Sequence, residues 1–173
     1  MAYNYEYPRP SVTVDGLVFR IVDSGLEILL IQRKKEPFKD LWAFPGGFME
    51  IDETPEVGVL REVQEETGIN LDRVIQLGAF GDVHRDPRGR TVSIAYIAFV
   101  KNDALAKAAD DAADVKWVNI KTLSKGALAF DHDAILQEAI GFLKGESIQE
   151  KLEHHMGLAA KEVGKISHFV TEV

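Results

Sequence analysis

A chain of 173 residues, 46% hydrophobic and 28% charged, is long enough for one domain with its own core. The absence of cysteine excludes disulfides, thiolate nucleophiles and cysteine-based zinc sites, and fits a reducing cytoplasm. A net charge of −8 and a pI of about 5.1 argue against a general nucleic-acid binder, which carries a basic footprint. The sequence opens without a basic-then-apolar leader, and no apolar run approaches the roughly 20 residues of a membrane span. The expectation is a cytoplasmic protein whose partners are neither nucleic acid nor membrane.

Residues 11–22 read as a strand, Asp23-Ser24-Gly25 as a hairpin turn and residues 26–32 as a second strand. A polar loop over residues 33–40 follows. Leu41-Trp42-Ala43-Phe44 then leads into Pro45-Gly46-Gly47, where glycines tolerate positive φ and let a backbone approach a ligand. Thr54 and Pro55 mark a helix start as N-cap and first helical residue, and Gly68 sits where a C′ glycine belongs, so a helix runs over 55–67. Gly58, inside it, sacrifices roughly 1 kcal/mol of propensity and is read as close packing on a sheet. Further strands are expected over 73–83, 90–101 and 115–118, and helices over 131–144 and 147–165. Trp42 and Trp117 read as core aromatics. Leu152, Met156, Ala159, Val163 and Ile166 recur at three- and four-residue steps, an amphipathic stripe for packing on the same domain or on a partner subunit. His154 and His155 project about 100° apart on a helix, which suits surface histidines better than a metal pair. The order of elements suggests an α/β (α+β) fold, a layered α/β/α sandwich with a mixed sheet. Residues 1–145 form the domain and 146–173 a helical extension.

One uninterrupted stretch of 23 residues carries the chemistry: Gly47, five residues, Glu53, seven residues, then Arg61-Glu62-Val63-Gln64-Glu65-Glu66-Thr67-Gly68-Ile69. Glu62, Glu65 and Glu66 stand at i, i+3 and i+4 and share one helix face. Like charges at that spacing destabilise an isolated helix, and near its C-terminus the macrodipole disfavours them further. A fold that keeps them together either solvates them or neutralises them with cations. Hard divalent cations prefer oxygen ligands, and Mg²⁺ binds one or two carboxylates together with substrate phosphates.

This stretch matches the Nudix box at all nine specified positions, and the chain therefore resembles a Nudix hydrolase over roughly residues 10–145. The resemblance implies cleavage of a nucleoside diphosphate linked to another moiety, on an α/β/α sandwich, with Mg²⁺ or Mn²⁺. It makes Glu62, Glu65 and Glu66 the metal-binding face, adds the Gly46 carbonyl as a ligand, and puts Glu53 at the edge of the metal shell. Arg61 would orient the carboxylates by ion pairing with Glu53 or Glu65. Members differ in the general base. Here Glu62 or Glu65 is one choice, and Asp110, Asp111 or Asp114, ahead of the 115–118 strand, is the other. Asp131 and Asp133 instead suit capping of the closing helix.

A second motif is Asp82-Val83-His84-Arg85-Asp86-Pro87-Arg88-Gly89-Arg90, whose Asp-Pro-Arg-Gly core is a good turn. It places Arg85, Arg88 and Arg90 together in an acidic chain, and arginine forks match phosphate oxygens. With Leu128-Ala129-Phe130-Asp131-His132-Asp133 it resembles the ADP-ribose pyrophosphatase subgroup. That resemblance implies hydrolysis of ADP-ribose to AMP and ribose 5-phosphate, with Arg85 and Arg88 on the diphosphate and Arg33 as a further phosphate or surface residue. Tyr5, Tyr7 or Phe80 would stack on adenine. It also implies a homodimer. Two alternatives remain. One is another Nudix substrate: a nucleotide sugar, a reduced pyridine dinucleotide, a dinucleoside polyphosphate or an oxidised nucleoside triphosphate. The other is an ADP-ribose-sensing regulator, against which the intact box and the roughly 30 residues after the core weigh.

Overall fold

The computed structural model describes residues 5–108 and 112–173. Its strands are β1 (Ser11–Val22), β2 (Gly25–Arg33), β3 (Trp42–Ala43), β4 (Gly46–Phe48), β5 (Ile75–Phe80), β6 (Thr91–Val100) and β7 (Ala112–Asn119). The helices are α1 (Pro55–Thr67), α2 (His132–Lys144), α3 (Glu146–His154) and α4 (Ala160–Thr171). Together they form a mixed seven-stranded sheet between helical layers.

β1 is the spine. Its residues 13–19 are all buried, as expected of a strand covered on both faces. One edge pairs in parallel with β6, from Ser11↔Thr91 to Arg20↔Val100. The other edge is divided: Phe19–Val22 pair with β2, whereas Thr13–Asp15 pair with β4. Between them the Gly16 N–H donates to Pro45 O at 2.8 Å. The sheet therefore forks at Gly16, and the fork sets the Pro45-Gly46-Gly47 turn beside β1. Side chains of alternate direction feed two cores. Leu17, Phe19, Ile28 and Leu30 meet α2, α3 and α4, whereas Val14, Val18 and Leu29 meet Val59 and Val63 of α1.

α1 begins and ends as its sequence dictates. Thr54 accepts from the Val57 N–H at 3.3 Å, Pro55 occupies the first turn, and Gly68 at φ 71 closes the helix with an N–H to Gln64 O. The glycine that lets α1 lie close on the sheet is Gly16, where a Cβ would fall 2.7 Å from Val63 Cγ2. At Gly58 the tight neighbour is the Glu53 carboxylate, 2.9 Å from a would-be Cβ, while Val14 sits at an ordinary 3.5 Å. Gly58 thus makes room for an acid rather than for the sheet.

Other expectations need correction. The strand expected over 73–83 is shorter at both ends. The single helix expected over 147–165 is two helices. Gly157 at φ 70 turns the chain, and Glu162 restarts it by accepting from the Ala159 N–H at 2.8 Å. Ile148, Leu152, Val163, Ile166 and Val170 all enter the larger core of this same chain. Trp42 and Trp117 are half-buried, and each carries a cation on its ring: Lys116 Nζ at 3.6 Å and Arg20 Cζ at 4.4 Å. Neither aspartate caps α2 with its side chain: Asp131 pairs with Arg85, and Asp133 accepts from the Gly126 N–H. Among the described residues, no helix is long and apolar enough to cross a membrane.

Candidate active site

A cavity of about 810 Å³ opens where the sheet forks. Gly46, Gly47 and Phe48 of β4 line it together with Arg61, Glu62, Glu65 and Glu66 of α1. The glycines are there for closeness of approach, not for unusual dihedrals, since neither adopts a positive φ. A Cβ at Gly46 would fall 2.2 Å from Val14 O, and one at Gly47 would fall 2.4 Å from Glu62 Oε1. The carboxylate of Glu62 fills the space that a side chain at 47 would need.

Arg61 organises the acids. Its Nε and Nη2 donate to Glu53 at 3.0 and 2.7 Å, and its Nη1 donates to Glu62 and Glu65 at 2.8 and 3.0 Å. Glu53 also accepts from the Glu50 N–H at 2.8 Å. The Arg61 guanidinium holds the Glu53 carboxyl below the usual range, and the shared acids raise Arg61 itself. Glu66 lies deeper, accepting the Gly46 N–H at 2.9 Å. Burial pushes its carboxyl up to about 8 despite that bond, and burial likewise raises Glu62. Glu65 is the open member, its side chain 41% exposed against 7% for Glu53 and 14% for Glu62. Among the described residues no three acidic side chains converge on one point. Arg61 draws Glu62 and Glu65 while the Gly46 amide draws Glu66.

The donor chemistry of the α1 acids fits a hard divalent cation: Glu62, Glu65 and Glu66 offer oxygen ligands alone, with Arg61 bonded to the first two and Arg33, Lys34, Lys35 and Arg88 elsewhere on the cavity wall. Glu62, Glu65, Glu66 and Gly46, the residues expected from sequence to hold such a cation, all line the cavity and could do so once the carboxylates reorient.

The arginines of the 82–90 loop do not share one fate. The Gly89 N–H reaches Asp86 O at 3.4 Å, closing the turn, and Asp86 also takes the Arg88 N–H at 2.9 Å. Arg85 is nearly enclosed, 4% exposed, and donates twice to Asp131, at 2.8 and 2.7 Å. Arg88 is 40% exposed, pairs with Asp86, and lines the cavity. Arg90 reaches only backbone carbonyls, those of Asp82 and Thr91. Arg33, at the end of β2, also lines the cavity, with Nε donating to Pro37 O at 2.9 Å.

Beneath the cavity lies a buried polar group that sequence reasoning missed. Asp15 accepts the Ser93 hydroxyl and stands 3.8 Å from Arg85 Nη2 and 3.7 Å from His132 Nε2. His132 accepts the Phe44 N–H on Nδ1 at 3.1 Å and stacks on the Phe44 ring, centroids 4.5 Å apart. Burial lowers its pKa, so the ring is neutral with its proton on Nε2. It thereby holds the strand that enters the glycine turn. The adenine platforms named from sequence are elsewhere. Tyr5 stacks with Arg9, Tyr7 is exposed and Phe80 packs on the larger core. Phe44, Phe48 and Phe130 are the phenylalanines that line the two adjoining cavities, Phe48 being signalled by its place after the paired glycines. Asp114 is exposed on β7 and accepts the Val115 N–H at 2.8 Å. Asp110 and Asp111 lie outside the described residues.

A model of the NUDIX domain family matches residues 12–139. An ADP-ribose pyrophosphatase of Methanocaldococcus jannaschii is 42% identical over 80% of this chain and 78% of its own length. The crystal structure of a MutT/nudix family protein from Enterococcus faecalis superposes with a TM-score of 0.80 at 32% identity, covering 99% of this chain and 78% of that one. The NUDIX domain of Shewanella oneidensis NrtR, crystallised with ADP ribose, superposes with a TM-score of 0.74 at 34% identity, covering 81% and 94%. A turn that presses its backbone against a carboxylate-bearing helix, and a family match running through the strands that build it, lead to one conclusion: the chain belongs to the NUDIX family and is a Nudix hydrolase.

Proposed function

We propose that the protein hydrolyses ADP-ribose to AMP and ribose 5-phosphate with Mg²⁺ or Mn²⁺. The observation that carries this reading is a single cavity lined by the Glu62, Glu65 and Glu66 carboxylates and by the Arg33 and Arg88 guanidiniums. A pyrophosphate needs charge compensation on both phosphoryl groups, and acids plus a cation on one part and arginines on another supply it. When bound, the cation contributes neutralisation of phosphoryl oxygens and acidification of water. Arg61 fixes the carboxylates through its four bonds to Glu53, Glu62 and Glu65. Glu65, the most open of the three, takes the proton of the attacking water. Arg33 and Arg88 bind the diphosphate. Arg85, enclosed with Asp131, supports them from behind and contributes its charge at longer range. The likeness to the M. jannaschii ADP-ribose pyrophosphatase supports ADP-ribose over the other Nudix substrates.

The test is turnover with Mg²⁺ on ADP-ribose, NADH, a dinucleoside polyphosphate, UDP-glucose and 8-oxo-dGTP, with products separated by chromatography. AMP and ribose 5-phosphate formed at the highest kcat/KM are expected. A higher value for another compound removes the ADP-ribose assignment. The likeness to the NrtR domain bound to ADP ribose favours a second reading, a sensor. Tight binding of ADP-ribose with no product at any metal concentration would establish it.

A further inference from the structure

Phe130 immediately precedes Asp131 and adopts φ 55, a conformation that bulky side chains rarely take. Backbone strain of this kind persists only where the surroundings over-determine it. Phe38, itself at φ 61, packs edge-on against the Phe130 ring with centroids 4.8 Å apart, and His132 packs at 5.6 Å. The same ring carries two guanidiniums: Arg33 Cζ lies 4.7 Å from its centroid and Arg88 Cζ 5.5 Å. Arg88 lies also over Phe48, at 4.9 Å. Two like charges on one ring repel, and Arg33 is held below the ordinary arginine range by burial first and by Arg88 second. Attraction of each cation to the ring quadrupole offsets that repulsion. The bonds of Arg33 to Pro37 O and of Arg88 to Asp86 then fix how each fork is turned.

We propose that Phe130 is a positioning residue whose ring holds Arg33 and Arg88 side by side as a two-guanidinium clamp for the adjacent phosphoryl groups of a diphosphate. The proposal rests on the reading of the cavity as a pyrophosphate site. Phe130 touches no reacting atom in it. The ring acts in the ground state, before any bond changes, so it affects binding rather than the chemical step. A single phosphate engages one fork; a diphosphate engages both.

Phe130→Leu keeps the apolar bulk and removes the ring face, whereas Phe130→Tyr keeps the face. Titration calorimetry with inorganic pyrophosphate in EDTA reads the clamp directly. KM and kcat for whichever panel substrate the wild type turns over fastest read it in the reaction. Phe130→Leu is expected to weaken pyrophosphate binding about five- to tenfold and to raise KM by a similar factor with kcat within about twofold. Orthophosphate binding should change less, and Phe130→Tyr should restore both pyrophosphate binding and KM. Arg33→Lys keeps the charge, loses the flat stacking surface and leaves Phe38 and His132 packed on Phe130, so it should reproduce the loss even if leucine at 130 fails to fold. Wild-type pyrophosphate affinity in Phe130→Leu or in Arg33→Lys would overturn the proposal. So would a tyrosine variant as impaired as the leucine one, or a wild type that ignores pyrophosphate in EDTA. If ADP-ribose is not turned over but pyrophosphate binding follows the expected pattern, the substrate assignment fails and the clamp stands.

Discussion

On α1 one arginine serves three carboxylates, while in the 82–90 loop Arg85 and Arg88 each have a carboxylate of their own, Asp131 and Asp86. Glu66, on the same helix, instead accepts the Gly46 N–H, and burial raises its carboxyl to about 8. Arg85 and Arg88 are thus each matched by an acid, whereas Arg33, which also lines the cavity, donates to the Pro37 and Lys35 carbonyls. The contrast teaches how like charges are kept together in each region. On α1 a shared arginine and the burial of Glu66 hold the acids. In the loop Arg85 and Arg88 each have their own acid, and the Phe130 ring offsets the repulsion between Arg33 and Arg88.

The acidic side breaks most sharply at Glu65. Glu65→Gln should lower kcat by about 10²–10⁴-fold, the range for loss of a positioned base. Its side chain is exposed and bonds only to Arg61, so the melting temperature should hold. A variant retaining more than a tenth of wild-type kcat would move the base elsewhere.

Glu66 gives a pH test with a definite sign. Its folded carboxyl lies at about 8, above its unfolded value of about 4.3. The stability it contributes is therefore complete below about pH 4.3 and is lost as pH rises towards 8. At roughly 1.4 kcal/mol per unit the ceiling is about 5 kcal/mol, which water entering the cavity reduces. In EDTA the melting temperature should fall between pH 5 and 8 and then level off. Glu62, also raised by burial, adds in the same direction. Glu66→Gln should flatten the slope, and saturating Mg²⁺ should oppose it. A melting temperature that climbs over this window in EDTA would contradict the assignment.

The two loop arginines separate by what each change costs. Arg85→Ala leaves Asp131 and Asp15 without their shared cation and should destabilise by about 3 kcal/mol. Arg88→Ala removes the proposed phosphate contact and should raise KM for ADP-ribose about tenfold, while also lowering the melting temperature because the buried Asp86 loses its cation. Equal effects of the two on KM, measured beside denaturant titrations, would erase the distinction.

How much of this was legible depended on distance along the chain. The caps of α1 are local, and Thr54, Pro55 and Gly68 announced them. The arginine loop was visible as a turn, but its division of labour was not. Arg85 is enclosed by Asp131, 46 residues away, and nothing near Arg85 hints at that partner. Asp15 and Ser93 meet across 78 residues because β1 and β6 pair in parallel, a register that periodicity alone does not set. The glycine turn was found for a partly mistaken reason: both glycines are needed for space, and neither for positive φ. Gly157 did carry a local signal, yet a stripe of apolar residues on both sides of it read as one helix.

The smallest expected effect bears on the same comparison. Asp114 was a candidate base from sequence because it precedes a strand, yet it is exposed, opposite Gln32 in the β2–β7 ladder, with one oxygen taken by the Val115 amide. It does not line the cavity that holds Glu65. A base must come within hydrogen-bond reach of the water it deprotonates, directly or through one further water. Asp114→Asn keeps the shape and the acceptor for Val115 while removing the charge, so kcat should change by less than about twofold. The test is a kcat–pH profile taken beside that of Glu65→Gln. A large loss in Asp114→Asn would mean that β7 swings towards the cavity during turnover, and that the proton leaves through a part of the molecule held apart from the α1 acids here.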